Sequence, residues 1–384
     1  MAEWKEYRIG DLCNTISETY KGKDDEVILI NTSDVLDGKI LNHEKVPNEN
    51  LKGQFKKTLR MNDILYSEIR PANKRFAFVD IEDTSLYIAS TKLMVLRPNT
   101  SIIYPKFLFS ILSSQNIIDD LQTLAETRSG TFPQITFSAE LAPMKVMVPN
   151  KEIQLKILTT LESIQGKLEN NKQINRNLWN QIDTWFMKLY SCKDTRRLKF
   201  GDVITRCTER VNDGALKVLS PISSGKVVLS EEFFTKQVYS KDIGKYLKVA
   251  QYEFCYNPAR ANIGSIGMND FNFTGCVSPV YVVFKTSDNL KFYMSRYFKT
   301  ENFKKEVILR SSGSVRQALS YDDLIQIEFR MPTDKFLNEF NEFYTALKIK
   351  IDENEAEINK LANIRDTLLP KLMSGKLDVS DLEI

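Results

Sequence analysis

The chain has 384 residues, of which 42% are hydrophobic and 27% charged, and a formal net charge of +3. This is the composition of a soluble globular protein with room for two or more domains. No run of 18 apolar residues and no charged-then-apolar leader is present, which argues against a transmembrane helix or a secretion signal. Five scattered cysteines favour reduced thiols in a cytoplasmic protein over a disulfide framework.

The first predicted domain, called the first head, spans residues 1–150. It opens with Trp4-Lys-Glu-Tyr-Arg-Ile-Gly-Asp-Leu12, and later segments include the strand-like Asp63-Ile-Leu-Tyr66 and a helix-like stretch that starts at Tyr104. With 18 Lys and Arg against 20 Asp and Glu, its formal charge is −2. The chain's single histidine, His43, lies in a polar stretch with no triad or metal partner in view, which indicates a surface residue.

Basic residues of the first head cluster in two loop-like stretches, residues 70–75 and 128–131. Arginine, serine and backbone N–H groups can contact phosphates, and arginine also suits base edges. The alternative is an ordinary polar loop on a solvated surface. The candidate nucleic-acid contacts are Arg70, Lys74, Arg75, Arg128, Ser129 and Thr131.

Residues 151–191 form the second predicted segment, a long helix with heptad spacing. Two rows of mostly apolar residues repeat seven apart: Ile157, Ile164, Asn171, Leu178 and Trp185, and Leu161, Leu168, Asn175 and Ile182. Such rows predict a narrow apolar seam of the coiled-coil type.

The second head spans residues 192–332 and is basic: residues 192–330 carry 22 Lys and Arg against 15 Asp and Glu, a charge of +7. A basic head is compatible with nucleic acid, although many soluble domains reach such values. Its glycine-rich stretch Tyr256-Asn-Pro-Ala-Arg-Ala-Asn-Ile-Gly-Ser-Ile-Gly267 and residues 310–316 supply the remaining candidates. These are Asn257, Arg260, Asn262, Ser265, Arg310, Ser314 and Arg316.

The fourth segment, residues 333–384, is a second long helix with a charge of −4, from 7 Lys and Arg against 11 Asp and Glu. Its heptad rows are Phe340, Leu347, Asn354, Leu361 and Leu368, and Tyr344, Ile351, Ile358 and Arg365.

The second half of the chain repeats the first. At a constant offset of 183, the pairs include Gly130 and Gly313, Pro149 and Pro332, Asn171 and Asn354, Leu178 and Leu361, and Asp183 and Asp366. A period this long indicates a duplicated domain and not a solenoid. The parts before Gly130 match more weakly and need gaps.

Matching polar residues in the two seams favour helices that pack on each other, since a buried asparagine fixes register and partner choice. Two equivalent halves usually associate around a two-fold axis, which would make the helices antiparallel. The alternative is that each helix packs only on its own head. The predicted helix-pairing residues are Asn171, Asn354, Leu178 and Leu361. The predicted fold is α+β: two α/β heads separated by two long antiparallel coiled-coil helices, with an internal pseudo-two-fold repeat.

Signals for catalysis are missing from the sequence. There is no C-x-x-C pair, no phosphate-loop spacing and no carboxylate pair that stands out. We therefore predict no catalytic residue, no metal site and no cofactor in this chain.

The arrangement resembles the specificity (S) subunit of type I restriction–modification enzymes. The resemblance covers nearly the whole chain, and its most telling parts are the C-terminal Ile364-Arg-Asp-Thr-Leu-Leu-Pro-Lys-Leu-Met-Ser-Gly-Lys-Leu-Asp-Val379, the S-G-x-x-x-Q approach to each helix and the opening of the first head. The first helix ends differently, at Met187-Lys-Leu-Tyr-Ser-Cys-Lys193, which leaves its end point open.

The resemblance implies a non-catalytic chain whose two target-recognition domains each read one half of a bipartite DNA site. The helices would act as a spacer and dock two modification (methyltransferase) subunits, which use S-adenosylmethionine, and restriction subunits that use ATP and Mg²⁺ would join them. Two alternatives stay open: the recognition subunit of another restriction or methylation class, and a coiled-coil scaffold that binds proteins.

Overall fold

The structure is a computed structural model and describes residues 4–49, 53–128, 130–234, 239–240, 242–311 and 318–373. The chain divides into two compact units, Met1–Asn170 with Glu357–Ile384, and Asn171–Ala356. Each unit therefore contains one head and part of both long helices. The division into four segments at residues 150, 191 and 332 stays a prediction. Within the described ranges, no helix has the length and apolarity needed to cross a lipid bilayer.

The first head is built from short strands. They are β1 (Trp4–Arg8), β2 (Cys13–Ile16), β3 (Glu26–Ile30), β4 (Val35–Leu36), β5 (Lys39–Ile40), β6 (Val46–Pro47), β7 (Phe55–Thr58), β8 (Ile64–Ser67), β9 (Phe76–Phe78), β10 (Tyr87–Ser90), β11 (Leu93–Pro98) and β12 (Lys145–Pro149). Its helices are α1 (Ile9–Leu12), α2 (Pro105–Leu112) and α3 (Gln115–Arg128).

Two four-stranded sheets organise this head, in the orders β2-β11-β8-β9 and β6-β3-β10-β7, and β1 pairs separately with β12. The strands β8 and β10 are buried throughout, because both of their faces are covered. One core lies between the first sheet and the helices α2 and α3, with Tyr66, Phe107 and Leu121 at its centre. A second core, around Ile30, Leu65 and Val95, joins the two sheets.

The remaining helices are α4 (Lys151–Tyr190), α5 (Ser230–Phe233), α6 (Lys291–Tyr297), α7 (Glu301–Arg310), α8 (Tyr321–Leu324) and α9 (Asp334–Met373). The strands of the second head are β13 (Thr195–Lys199), β14 (Ile204–Cys207), β15 (Leu219–Pro221), β16 (Val227–Leu229), β17 (Leu247–Val249), β18 (Phe254–Tyr256), β19 (Ile266–Met268), β20 (Gly275–Val277), β21 (Val282–Thr286) and β22 (Glu328–Pro332).

The second head repeats the first sheet of the first head. Its four-stranded order, β14-β21-β18-β19, corresponds strand for strand to β2-β11-β8-β9. The pair β13–β22 likewise corresponds to β1–β12. Both pairs are antiparallel, and in each a proline that ends the second strand pairs with the first residue of the first strand. The duplication therefore includes the heads, whose sequences show it only weakly.

The repeated Ile-Gly-Asp and Phe-Gly-Asp motifs close the two heads. Gly10 N–H donates to Ala142 O and Gly201 N–H donates to Ile325 O, each at 3.0 Å. A Cβ at either glycine would lie 3.1 or 3.3 Å from the Cβ of that same neighbour, so the close approach of the two segments favours glycine. The aspartate side chains accept from Arg8 N–H and Lys199 N–H at 3.1 and 2.8 Å. This motif is structural.

In the first unit, the start of α4 and the end of α9 share a core with the head. Ile153, Ile157 and Leu158 of α4 lie in the same cluster as Leu372 of α9. Gln165 Oε1 accepts a hydrogen bond from Arg365 Nη1 at 3.3 Å.

In the second unit, the end of α4 and the start of α9 share a core with the second head. Ile182 and Phe186 pack in one cluster with Phe340 and Tyr344. The ring centroids of Trp185 and Phe343 lie 4.4 Å apart, and further along the pair Asn175 contacts Asn354. Residue numbers therefore fall along one helix as they rise along the other. The helix segments of this unit are antiparallel and pack on each other as well as on the head.

The predicted heptad seam is confirmed, because every position of the four predicted rows is buried or half-buried. The predicted fold class is confirmed at the level of an α+β chain with two similar heads and two long helices.

Candidate nucleic-acid interface

The two basic stretches singled out in the sequence occupy the same place in the two heads. In the first head, the turn from β8 to β9 is residues 68–74; in the second head, the turn from β18 to β19 is residues 258–264. Both hairpins close with one further backbone hydrogen bond beyond their last paired strand residues, so the two turns have seven residues each. We call them the first and second reading loops.

Hydrogen bonds recur at equivalent positions of the two loops. Those of the first loop are Ser67 N–H to Arg75 O (2.8 Å), Lys74 N–H to Pro71 O (2.9 Å), Phe76 N–H to Lys74 O (3.0 Å) and Ile69 N–H to Ser67 Oγ (3.0 Å). Those of the second are Asn257 N–H to Ser265 O (3.1 Å), Gly264 N–H to Ala261 O (3.0 Å), Ile266 N–H to Gly264 O (2.8 Å) and Ala259 N–H to Asn257 Oδ1 (3.1 Å). In this register, Arg70 of the first loop and Arg260 of the second loop occupy equivalent positions.

Both loops are fastened to the body of their head. Glu68 O accepts from Ile135 N–H at 2.8 Å, and the equivalent Pro258 O accepts from Leu319 N–H at 3.1 Å. The first loop is also held by Ala72 N–H, which donates to Gln122 Oε1 on α3 at 3.1 Å. These contacts fix the backbone from which the side chains project.

Arg70 and Arg260 are exposed, and neither forms an ion pair with any carboxylate among the described residues. Their loops differ locally at this point. Arg70 has φ +47° and donates its N–H to Pro133 O, whereas Arg260 N–H donates to Asn257 O. A left-handed backbone at a non-glycine residue is uncommon and favours a position held for function.

Lys74 also has a left-handed backbone, with φ +51°, and the equivalent residue of the second loop is Gly264, with φ +89°. The turn geometry needs a positive φ here, and only the second head meets it with glycine. The Lys74 residue is half-buried.

Three other predicted contacts serve the loops internally in this conformation. Arg75 donates through Nη1 to Ser33 O and Val35 O, at 3.0 and 3.3 Å. Its equivalent, Ser265, is 2% exposed and its hydroxyl donates to Pro221 O at 2.6 Å. Asn257 caps its own turn. These residues shape the loops and do not face solvent as free contacts.

The predicted residues at the helix ends lie beside the loops but have partners of their own. α3 packs on the first loop and α7 on the second. Arg128 pairs with Glu140 at 3.1 Å and Arg310 with Glu306 at 3.2 Å. Thr131 is exposed. Ser129, Ser314 and Arg316 lie outside the described residues.

The ion pair with Arg128 is one of the interactions that lower the pKa of Glu140. Partial burial would raise the pKa of this carboxyl. Hydrogen bonds from the Thr136 backbone and hydroxyl, together with the Arg128 charge, outweigh burial and lower the pKa. Glu140 is therefore ionised at neutral pH and holds Arg128 against the head.

The predicted helix-pairing residues all lie in the seam. Asn354 is buried and its Nδ2 donates to Asn175 Oδ1 at 2.8 Å, while Asn175 Nδ2 donates to Ile351 O at 3.3 Å. Asn171 is also buried, and Leu178 and Leu361 are half-buried. Heptad spacing alone places Asn175 in a seam row but does not identify it as the partner of Asn354.

Sequence reasoning missed a charged contact between the second head and α4. Arg296 of α6, 8% exposed, donates to Asp183 of the repeated helix motif and stacks over the Trp179 ring at 5.0 Å. Asp270, in the turn after β19, pairs with Lys348 of α9 at 2.9 Å. The pKa of Asp270 is raised, because the effect of burial outweighs that of the Lys348 charge, which lowers it. These pairs fasten the head to its helices.

Among the described residues, no group of three His, Cys, Asp or Glu side chains is arranged to hold a metal ion. His43 contacts the Tyr87 hydroxyl through Nδ1 at 3.0 Å. The absence of catalytic, metal and cofactor residues stays a prediction.

Residues 1–179 match the family model described as type I restriction modification DNA specificity domain. The chain is 45% identical over 200 residues to the HindI specificity subunit of Haemophilus influenzae, a match that covers 52% of this chain and 43% of that subunit. The first part of the chain, residues 1–179, is therefore similar to the DNA specificity domain of type I restriction–modification systems.

Two further comparisons extend over more of the chain. It is 23% identical over 312 residues to the MjaIX specificity subunit of Methanocaldococcus jannaschii, covering 72% of this chain and 70% of that one. The crystal structure of a type I S subunit from M. genitalium has the same fold, with a TM-score of 0.59 at 15% identity, over 99% of this chain and 97% of the other. The match to the HindI subunit spans less than half of that protein's length.

Proposed function

We propose that this chain is the DNA-sequence specificity subunit of a type I restriction–modification complex. Each head reads one half of a bipartite target, and the chain itself performs no catalysis. The observation that carries the proposal is the pair of reading loops. Both heads contain the same type of hairpin, fixed to the head by an equivalent hydrogen bond, but the two hairpins present different side chains.

The chemistry of the loops suits DNA. Each presents an exposed arginine free of carboxylate partners among the described residues, and asparagine side chains lie beside it. Arginine can bind phosphate or guanine, and asparagine can bind adenine through two hydrogen bonds. The +7 charge of residues 192–330 would favour a polyanion, although partner subunits could supply much of the phosphate contact.

The long helices fit the role of a spacer and docking element. Each has 40 residues, which corresponds to about 60 Å at about 1.5 Å per residue. DNA half-sites one helical turn apart are separated by roughly 34 Å. We propose that the helices set the half-site spacing and dock two modification subunits, to which restriction subunits bind in turn.

The chemistry of the complex would then belong to the partner chains. The modification subunits would use S-adenosylmethionine to methylate adenine, and the restriction subunits would use ATP and Mg²⁺ for cleavage. The complex would act on double-stranded DNA in the cytoplasm.

The test is a map of methylated adenines in the genome of the source cell, with and without this gene. We expect one bipartite motif to lose its methylation when the gene is deleted. Replacing residues 1–150 by the corresponding head of another specificity subunit should change one half of the motif and leave the other half and the spacing unaltered. Unchanged methylation after deletion, or a change in both halves after the exchange, would contradict the proposal.

A further inference from the structure

The equivalence of the two reading loops separates what the heads share from what distinguishes them. Arg70 and Arg260 are both arginines at equivalent loop positions. Two and three residues further along, the loops differ: the first has Ala72 and Asn73, and the second has Asn262 and Ile263. We propose that Arg70 and Arg260 are the phosphate contacts of their heads, and that positions 72–73 and 262–263 discriminate bases. This inference rests on the proposed function.

The arginines suit a contact that is common to all DNA. When two heads read different half-sites, the part of the DNA that is the same for both is the sugar–phosphate backbone. Contacts to phosphate position a protein on DNA but carry no sequence information. An arginine kept at one place in two otherwise different loops fits that shared task. Both side chains are exposed, and neither is neutralised by a carboxylate among the described residues, so their charge is available to an anion.

The neighbouring positions carry chemistry that discriminates base pairs. Ala72 and Asn73 are exposed, Asn262 is half-buried, and Ile263 is 55% exposed. An amide can bind the N6 and N7 groups of adenine, and an apolar group can contact the methyl group of thymine. Both loops therefore combine groups that suit A·T pairs, but in opposite order along the chain.

The loops are rigid enough for this division to be meaningful. Each is pinned at its start by a hydrogen bond from the head, and each turn is closed by hydrogen bonds at equivalent places. In the first loop, Ala72 N–H is itself fixed by Gln122 Oε1, so the base-facing positions cannot move independently of α3. A fixed backbone lets one side chain bind phosphate while its neighbours reach the groove.

The first experiment uses the complete complex of this chain with its modification subunits. Binding is measured for the target found by methylation mapping, for every single base-pair variant of it, and over a series of salt concentrations. For Arg70→Ala and for Arg260→Ala we expect affinity to fall about tenfold or more for all sequences alike. The slope of log affinity against log salt should decrease by about 0.9, the value for one phosphate contact.

Arg260→Lys and Arg70→Lys separate a phosphate contact from guanine recognition. Lysine keeps the point charge but not the planar fork of arginine, so these variants should keep both the salt slope and the sequence preference. Arg60→Ala serves as the control, because Arg60 lies at the opposite end of β8 from the loop and should leave both quantities unchanged. Relaxed preference at one base pair, with an unaltered salt slope, would overturn the phosphate assignment.

The second experiment transfers the discriminating positions. A double variant, Ala72→Asn with Asn73→Ile, gives the first loop the side chains of the second. We expect a changed base preference in one half-site only, with the salt slope retained. Unchanged preference in both half-sites would overturn the base-reading assignment. If the wild-type complex showed no sequence preference at all, the proposed function itself would fail, and this result is distinct from either outcome for the variants.

Discussion

At the scale of single residues, the reading loops solve one backbone problem with two different residues. Lys74 and Gly264 both adopt a left-handed backbone. A Cβ at Gly264 would lie 2.6 Å from Ser223 O, so glycine is required there by space as well as by φ. Lys74 sits at the equivalent place and tolerates a strained conformation.

We therefore predict opposite outcomes for two substitutions. Gly264→Ala should lower the free energy of unfolding by about 1–2 kcal/mol from the left-handed backbone alone, with a further cost from the clash. Lys74→Gly should be neutral or slightly stabilising, because the relief of backbone strain offsets the destabilising gain in freedom of the unfolded chain. Chemical denaturation of the two variants checks both. Equal destabilisation by the two changes would show that the loops are not equivalent.

A half-buried lysine of the second head, Lys299, provides a pH-dependent prediction. Burial, aided by the Arg296 charge, lowers the pKa of Lys299 to about 8. The unfolded chain, with an ordinary lysine, therefore binds more protons between about pH 8 and 10.5, so the contribution of Lys299 to stability rises with pH over that range. Lys299→Met should stabilise the protein by about 1–2 kcal/mol at pH 7.

The gain from Lys299→Met should shrink as pH rises through 8 toward 10, because the neutral amine is no longer penalised. Thermal or urea unfolding of both proteins across this range measures the difference. Lys245→Met is the control, because the Lys245 side chain is exposed and its replacement removes no buried charge. A gain that is constant from pH 7 to 10 would contradict the buried-charge explanation.

Single-residue roles were only partly predictable from the sequence. Arg70 and Arg260 were found because charge in a glycine- and proline-containing loop is a visible signal. Ser265 and Asn257 carry the same local signal, yet the structure uses them to hold the loop, through Pro221 O and Ala259 N–H. Polarity alone cannot distinguish a side chain that binds a ligand from one that satisfies the backbone. Whether the two arginines contact DNA stays a prediction.

At the scale of secondary-structure elements, the helix seam depends on a polar contact. Asn354 Nδ2 donates to Asn175 Oδ1 in a buried setting. Asn354→Leu alone should cost about 1–3 kcal/mol, since it leaves the Asn175 oxygen without this donor. The double change Asn175→Leu with Asn354→Leu should recover most of that cost, which gives a favourable coupling of about 1 kcal/mol or more between the two sites.

A double-mutant cycle by urea denaturation measures this coupling. Asn177→Leu is a matched control, because Asn177 is exposed on the same helix and accepts a hydrogen bond from Gln173 on that surface. Its effect should stay within about 0.5 kcal/mol. Additive costs for the two seam substitutions would contradict the contact. The recovered double variant should also lose specificity of helix pairing, visible as a broadened or shifted elution by size.

Heptad spacing was a reliable guide to the helices because it reports which side chains must be buried. It did not identify Asn175 as the partner of Asn354, since the contacts of an antiparallel pair depend on the offset between the helices and not on either sequence alone. The equivalence of the heads was harder still to see. Tyr66 and Tyr256 match, but the strand order β14-β21-β18-β19 becomes evident only in the structure.

At the scale of the whole molecule, neither half of the chain contains a complete unit. The first unit needs residues 357–384 and the second needs residues 171–190 of the other half. Separating the chain after residue 191 would remove Leu372 from the first core and leave Ile182, Phe186 and Leu189 of α4 without their cluster. Each large apolar side chain exposed in this way costs roughly 1.5–3 kcal/mol.

We therefore predict that fragments 1–191 and 192–384, expressed separately, unfold at lower temperature than the intact chain and self-associate through the exposed seam. Mixed in equal amounts, they should form a one-to-one complex whose unfolding temperature approaches that of the intact protein. Light scattering after size separation gives the stoichiometry, and thermal unfolding gives the stability. A cut at residue 241, within the second head, is the control and should not be rescued as fully by mixing, because it divides a sheet. Two monomeric fragments that are each as stable as the intact chain would show that each helix serves only its own head.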